Sequence, residues 1–374
     1  MSDLTARFAF LTEADRLKSV ERANVLMDLS RPENSAEHSW HVALYALVFG
    51  GSDRAIAMIL LHDLVEIDCG DHPIHLDHDA TAVEAAERAA ACRLFGLLPD
   101  GARLLALWQE FEAALTPDAR FAKRMDHVQP LFQVLSAPRP LPGHLRIARD
   151  NMTRGRCARL WQEWPEAMAA GQGMLDGAPP PDGLAGRLAF LAEADRLKSV
   201  LRASTLCDGS RRENSAEHSW HLALYALVMA PVAGPEVDIG RVIRMLILHD
   251  LVEIDAGDVP IHALNGAAHH GAAQLAAEEA AAERLFGLLP QPLGAELHAL
   301  WAEFEANETP DAVFAKSLDR AQPVMQNIAC GGGSWIEYRV TYEQLVERVG
   351  LRIQRGAPTL WTWLDESARG FFAR

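Results

Sequence analysis

The eight residues "NSAEHSWH" occur twice in this chain, at 34–41 and again at 214–221. They are one block of several. "FLTEADRLKSVERA" at 10–23 returns as "FLAEADRLKSVLRA" at 190–203, and "LLHDLVEIDCGD" at 60–71 returns as "ILHDLVEIDAGD" at 247–258. "LWQEFEAALTPDARFAK" at 107–123 returns as "LWAEFEANETPDAVFAK" at 300–316. The blocks keep their order, and the spacers between them lengthen slightly in the second copy, where loops tolerate insertion. A repeat this long is a domain duplication and not a solenoid. The expected division is a first unit over 1–172, a Gly/Pro linker over 173–184 and a second unit over 185–374.

Hydrophobic residues make up 49% of the 374, so each copy can bury a core of its own. The net charge of −16 disfavours nucleic-acid polymers and anionic membrane surfaces as partners, but leaves room for a small phosphate ligand at a locally positive site. The five cysteines are scattered, with no CxxC pair, and read as reduced thiols of a cytoplasmic protein. The first twenty residues carry charges throughout and read as neither a signal peptide nor a membrane span.

Each copy reads as helical, giving an all-α fold. "SAEHSWHVALYALVF" opens on Ser35, a good N-cap, and its apolar residues follow helical spacing. "AIAMILLHDLVEID" is apolar on nearly all sides, which predicts a central buried helix stopping at Gly70. "DATAVEAAERAAACRLFGLL" reads as an outer helix, and Pro117 as the first residue of a later one. No segment of any length shows the period-two alternation of a strand.

Several polar residues do not fit this apolar background. His62 and Asp63 interrupt the most apolar helix of copy one, and His249 and Asp250 do the same in copy two. A buried Asp is costly unless it is paired or bound to a metal. Alone, the pair reads equally well as a structural hydrogen bond at a helix end. Three further features add weight to a metal: His38 and His218 near the start of the "EHSWH" helix, Glu66 and Glu253 one turn beyond the His-Asp pair, and Asp126 and Asp319 inside the last apolar helix of each copy. Two imidazoles and two carboxylates suit a borderline divalent ion such as Mn, Co, Fe, Ni or Zn better than calcium.

The order His38, His62-Asp63, Asp126 resembles the HD-domain metal-dependent phosphohydrolases. The flanking "EHS" and "HDLVE…GD" motifs are similar to the branch of small HD-domain hydrolases that includes the bacterial 5'-deoxynucleotidase. The resemblance covers nearly all of both copies. It implies tandem helical HD units, one divalent ion per domain and hydrolysis of nucleoside 5'-monophosphates, a phosphoric monoester hydrolase with a small-molecule nucleotide as substrate. It implies metal ligands His38, His62, Asp63 and Asp126, then His218, His249, Asp250 and Asp319. It makes Glu66 and Glu253 water-orienting groups, Asp71 and Asp258 further catalytic or substrate-orienting carboxylates, and Arg22 and Arg202 phosphate-binding residues. Members of this branch resemble homodimers, so the two units are expected to pack as a pseudo-dimer within one chain, with further association open. The branch carries a Trp after the arginine where this chain has Ala23 and Ala203, which puts a deoxyribose preference in question. A nucleotide sensor without turnover and a di-iron oxygenase of HD type are the rival readings.

Neighbouring residues are less decided. His41 and His221 read as helix-surface groups or as groups behind the ligands. His72, His75, His78 and His262 raise a second-metal reading. Arg31 and Arg211 read either as phosphate-binding residues or as surface ion pairs, and Lys123 and Lys316 as salt-bridge partners behind the ligand Asp. Glu110, Glu112, Glu303 and Glu305 read as a solvated face, and Trp40 and Trp220 as core. Copy two is expected to be the stronger catalyst. It keeps Arg320 beside its last ligand and a glycine turn at Gly331–Gly333, where copy one has His127 and a proline-rich segment.

Overall fold

The computed structural model describes residues 3–73, 76, 78–262 and 271–373. Copy one contains α1 (Asp3–Ala14), β1 (Glu21–Val25), β2 (Pro32–Asn34), α2 (Ser35–Val48), α3 (Asp53–Leu61), α4 (Glu66–Cys69), α5 (Ala80–Phe95), α6 (Gly101–Ala113), α7 (Pro117–Ser136), α8 (Pro142–Thr153), α9 (Leu160–Glu163) and α10 (Pro165–Leu175). Copy two repeats the pattern with α11 (Asp182–Ala194), β3 (Leu201–Thr205), β4 (Arg212–Asn214), α12 (Ser215–Met229), α13 (Ile239–Leu248), α14 (Glu253–Ala256), α15 (Ala272–Phe286), α16 (Leu293–Ala306) and α17 (Pro310–Ala329). Shorter helices and a last long helix, Pro358–Phe372, follow. The all-α expectation holds. Helices α10 and α11 run into both ends of the expected linker and leave 176–181 between them.

Two local expectations are corrected. Each copy carries a small antiparallel ladder, β1 with β2 and β3 with β4. These strands are five and three residues long, too short to display alternation. The N-cap of α2 is Asn34, not Ser35: its side chain accepts from the Glu37 backbone N–H, and Glu37 reciprocates as a capping box. Ser35 is thereby freed for another contact.

Every residue of α2 and of α12 is buried. A helix buried on all faces belongs at the centre of a fold, and these two pack against each other across the copies. Each also packs on its partner's next helix, so α2, α3, α12 and α13 form a shared core. The contacts are reciprocal, as a two-fold relation requires. Trp40 Nε1 donates to the Ile247 carbonyl at 3.1 Å, and Trp220 Nε1 to the Leu60 carbonyl at 3.3 Å. Arg7 of α1 donates to the Val228 carbonyl, and Arg187 of α11 to that of Val48. The pseudo-dimer is therefore one packed body with a continuous apolar core. Trp220→Ala removes a fully buried side chain from it. We expect a loss of about 3–5 kcal/mol, and calorimetry should show one lowered transition for the whole chain. Two separated transitions would mean that the copies unfold independently.

Candidate metal centres

Four pieces of backbone converge in each copy. The capping box fixes the start of α2 and brings His38 inward one turn later. After α3 the chain tightens into a 3₁₀ turn, His62–Val65, which aims His62 and Asp63 at the same space. Gly70 then adopts φ +74°, a left-handed conformation that favours glycine, and turns the chain so that Asp71 comes back to the site. Helix α7, capped by Thr116 with Pro117 in its first turn as expected, supplies Asp126.

Asp126 Oδ1 lies 3.1 Å from His38 Nε2 and 3.6 Å from His62 Nε2. Asp63 Oδ1 lies 3.1 Å from His62 Nε2, and its Oδ2 lies 3.9 Å from His38 Nε2. In copy two, His249 Nε2 is 3.0 Å from Asp250 Oδ1, and His218 Nε2 is 3.3 Å from Asp319 Oδ1 and 4.0 Å from Asp250 Oδ2. All eight residues are buried.

The tautomers test whether a cation fits. His62 Nδ1 donates to the Ile59 carbonyl at 2.6 Å, and His249 Nδ1 to the Leu246 carbonyl at 2.9 Å. In neutral rings this leaves the lone pair on Nε2, and neither His62 Nε2 nor His249 Nε2 has a hydrogen-bond partner. His38 Nδ1 and His218 Nδ1 face the amide oxygens of Gln129 at 3.0 Å and Gln322 at 3.1 Å, which leaves their Nε2 lone pairs facing the same point. Buried lone pairs aimed at carboxylate oxygens repel unless positive charge lies between them. The donor set therefore fits a divalent ion held by His38, His62, Asp63 and Asp126, and by His218, His249, Asp250 and Asp319.

The charge balance points the same way. Burial opposes protonation of His62, but Asp63 and Asp126 more than offset it and raise its pKa to about 9. Burial and the neighbouring Asp63 push Glu66 up to about 8. The part of each shift that comes from neighbouring carboxylates expresses an excess of negative charge, which a bound cation relieves. In copy two, burial outweighs the carboxylates at His249 and lowers its pKa.

Around these donors sit the other expected residues. Arg22 Nη1 reaches Asp63 Oδ2 at 2.8 Å, Glu66 Oε1 at 3.4 Å and Asp71 Oδ1 at 3.8 Å. Arg202 holds Asp250, Glu253 and Asp258 in the same way. A cavity of about 120 Å³ opens beside Arg22, lined by Ala23, Asp71, Asp126, Leu131 and Ile147 among others. It adjoins a wider, polar cavity of about 720 Å³ that includes His62, Glu66, Lys123, Arg156 and Arg159. The corresponding pocket of copy two, about 80 Å³, is lined by Arg202, Ala203, Asp258, Arg320, Trp335 and Tyr338 among others.

A family model described as HD domain matches residues 14–168 and again residues 194–361. The chain belongs to the HD-domain family. The 5'-deoxynucleotidase HDDC2 of Mus musculus is 30% identical over 144 residues, 38% of this chain and 68% of that protein. Its Homo sapiens counterpart is 29% identical over 141 residues, 37% of this chain and 65% of that protein. The chain thus spans about two thirds of the length of these relatives. The crystal structure of a predicted metal-dependent phosphohydrolase from Magnetospirillum magnetotacticum MS-1 matches 51% of this chain and 98% of its own at 45% identity, with a TM-score of 0.46. Among the described residues, no helix is long and apolar enough to cross a membrane.

Within each HD domain some residues take unexpected places. Ser35, read as a cap, donates instead to Glu66 Oε2, and its counterpart Ser215 to Glu253 Oε2. Gln129 and Gln322, whose amide oxygens face His38 and His218, were missed, although the spacing D-x-x-Q is the same in both copies. His41 and His221 are fully buried between the copies and lie on no surface. Arg31 and Arg211 form ion pairs with Glu37 and Glu217. Lys123 and Lys316 pair with Glu112 and Glu305 at 2.9 Å and lie over the rings of Phe111 and Phe304, so those two glutamates are engaged. His72 and His78 stack edge to face with centroids 5.1 Å apart and line the same cavity as His62, Asp63 and Asp126, and His75 lies outside the described residues.

The expected charge deficit of copy one is not found. Burial lowers the pKa of His127 to about 4, so its ring is neutral. However, Arg159 Nη2 lies 3.4 Å from His127 Nδ1, and Arg156 lines the same cavity. Both come from the stretch between α8 and α9, too distant in sequence to be paired with His127 by eye. In copy two Gly331, Gly332 and Gly333 all have positive φ, and the turn they form seats Ser334 and Trp335 on the pocket wall.

Proposed function

We propose that each HD domain hydrolyses nucleoside 5'-monophosphates to a nucleoside and inorganic phosphate. The observation that carries this reading is the convergence, on one cavity wall of copy one, of His62, Asp63 and Asp126 from the cation cluster, the Arg22 guanidinium and the Glu66 and Asp71 carboxylates. The names of the mouse and human relatives support the substrate class. A bound divalent ion supplies Lewis acidity toward a phosphate oxygen and acidifies a coordinated water. The chain's own residues do the rest. Arg22 turns its fork from Asp63 and Glu66 to two phosphate oxygens and offsets the charge that builds on them. Glu66, held by Ser35, accepts a proton from the water that attacks phosphorus in line. It must be ionised to do so, and the positive charge of Arg22 and of a bound cation favours that form against its burial. Asp71 delivers a proton to the departing 5'-oxygen, so the P–O bond breaks without leaving an alkoxide. The apolar wall formed by Leu131 and Ile147 takes the base. Arg202, Glu253, Ser215 and Asp258 play the same parts in copy two.

The test is phosphate release from a panel of ribo- and deoxyribonucleoside 5'-monophosphates, with 3'-monophosphates as controls, using chelator-stripped protein with added Mn²⁺ or Co²⁺. We expect metal-dependent turnover of the 5' series. Binding without phosphate release would replace this reading with a nucleotide sensor, and oxygen consumption by an iron-loaded protein with an oxygenase.

A further inference from the structure

The block "EADRLKS" recurs identically in both copies, and its lysine does not serve its own site. Lys198, in the 3₁₀ turn Asp195–Ser199 of copy two, is fully buried against copy one. Its Nζ donates to Glu33 Oε1 at 2.6 Å and lies 3.0 Å from His41 Nδ1, while Asp195 pairs with it from its own turn. Lys18 repeats this in reverse, reaching Glu213 Oε1 at 2.6 Å and His221 Nδ1 at 2.9 Å, paired by Asp15. The acidic and histidine side chains of these two clusters could hold an ion by composition, but an ammonium already occupies the centre of each.

The second carboxylate oxygen shows what the clusters do. Glu33 Oε2 and Glu213 Oε2 are buried and have no hydrogen-bond partner. Glu33 Oε2 lies 3.8 Å from His38 Nδ1, and Glu213 Oε2 lies 3.3 Å from His218 Nδ1. Each oxygen thus faces the ring nitrogen opposite the one aimed at the metal cluster. The glutamine oxygens take the Nδ1 protons and set the tautomers, and a carboxylate close behind the ring adds negative charge that raises its basicity. Here that carboxylate is itself held by a cation from the other copy.

We infer that Lys198 and Lys18 are positioning residues acting across the copies: Lys198, through Glu33, sets the metal affinity of the first site, and Lys18, through Glu213, that of the second. Neither HD domain's metal centre is complete without the other copy. This inference rests on His38 and His218 being metal ligands.

The experiment measures Co²⁺ affinity by chelator competition, with the visible absorption of bound Co²⁺, in the full-length chain. The His249→Ala background isolates the first site and the His62→Ala background the second. In the first background Lys198→Met should weaken Co²⁺ binding about 10–100-fold and alter the absorption band, whereas Lys18→Met should leave both unchanged. In the second background the order should reverse. General destabilisation cannot produce this crossed pattern. Glu33→Gln and Glu213→Gln, nearly isosteric, decide the matter if a lysine variant fails to fold, and should reproduce the loss at the first and second site respectively. Equal weakening of both sites by one lysine variant, or unchanged affinity in all four variants, would overturn the inference. Absence of Co²⁺ binding in the two parent backgrounds would instead sink the ligand assignment beneath it.

Discussion

We expect His62→Ala to lower the divalent metal content of the chain from two ions to one, His249→Ala to do the same, and the double variant to hold none and release no phosphate. Each ring contributes an Nε2 that lacks any hydrogen-bond partner; that of His62 faces Asp63 and Asp126, and that of His249 faces Asp250. Alanine leaves Asp63 and Asp126, or Asp250 and Asp319, with a single imidazole. Outer partners of ligands are worth about 10–100-fold in affinity, and loss of a direct donor should exceed that. Elemental analysis after desalting measures the metal, and phosphate release measures the consequence. Each single variant should keep the turnover of its intact copy. A single variant with unchanged metal content would show that its histidine is no ligand and that the lone-pair argument fails for that copy.

Much of this arrangement was legible because the chemistry violates the local pattern. An Asp and a His inside an apolar helix, repeated in a second copy with a Glu one turn on, are visible in one dimension. The helical class was legible for the same reason, since long apolar stretches with 3.6-residue spacing leave little room for strands. What escaped was contact between distant segments. The ladder that carries Arg22 joins five residues to three, and its register comes from Glu21 facing Asn34, which no periodicity announces. Ser35 was read as a cap because a serine before an apolar helix often is one. Asn34, one residue earlier, takes that role and leaves the Ser35 hydroxyl to Glu66. His41 read as a surface group or as one behind the ligands, and only the second fits: its Nδ1 lies 3.1 Å from the Gln129 amide that faces His38, and α3, α7 and α12 leave α2 no surface. Arg159 could not be matched to His127 for the same reason: the pairing exists only once α9 folds back on α7.

Replacing Glu66 and Glu253 together by glutamine should leave both metal ions bound and lower phosphate release by about two orders of magnitude or more. The four donors of each cluster do not include the glutamate, which stands one turn farther along and is tied to Ser35 or Ser215 on one side and to Arg22 or Arg202 on the other. Glutamine keeps the length and planarity of the side chain and can still accept from the serine hydroxyl, so the site should keep its shape. It cannot take a proton from water. The carboxylate, favoured in its ionised form by Arg22 and a bound cation against its burial, can act as a base, and an amide cannot. Each single variant should lose the share of turnover that belongs to its own copy, which also measures how the work is divided between the two domains. Metal loss accompanying the loss of rate would make the glutamates ligands. Full activity in the double variant would leave proton transfer to Asp71 and Asp258, the remaining carboxylates within reach of the arginines.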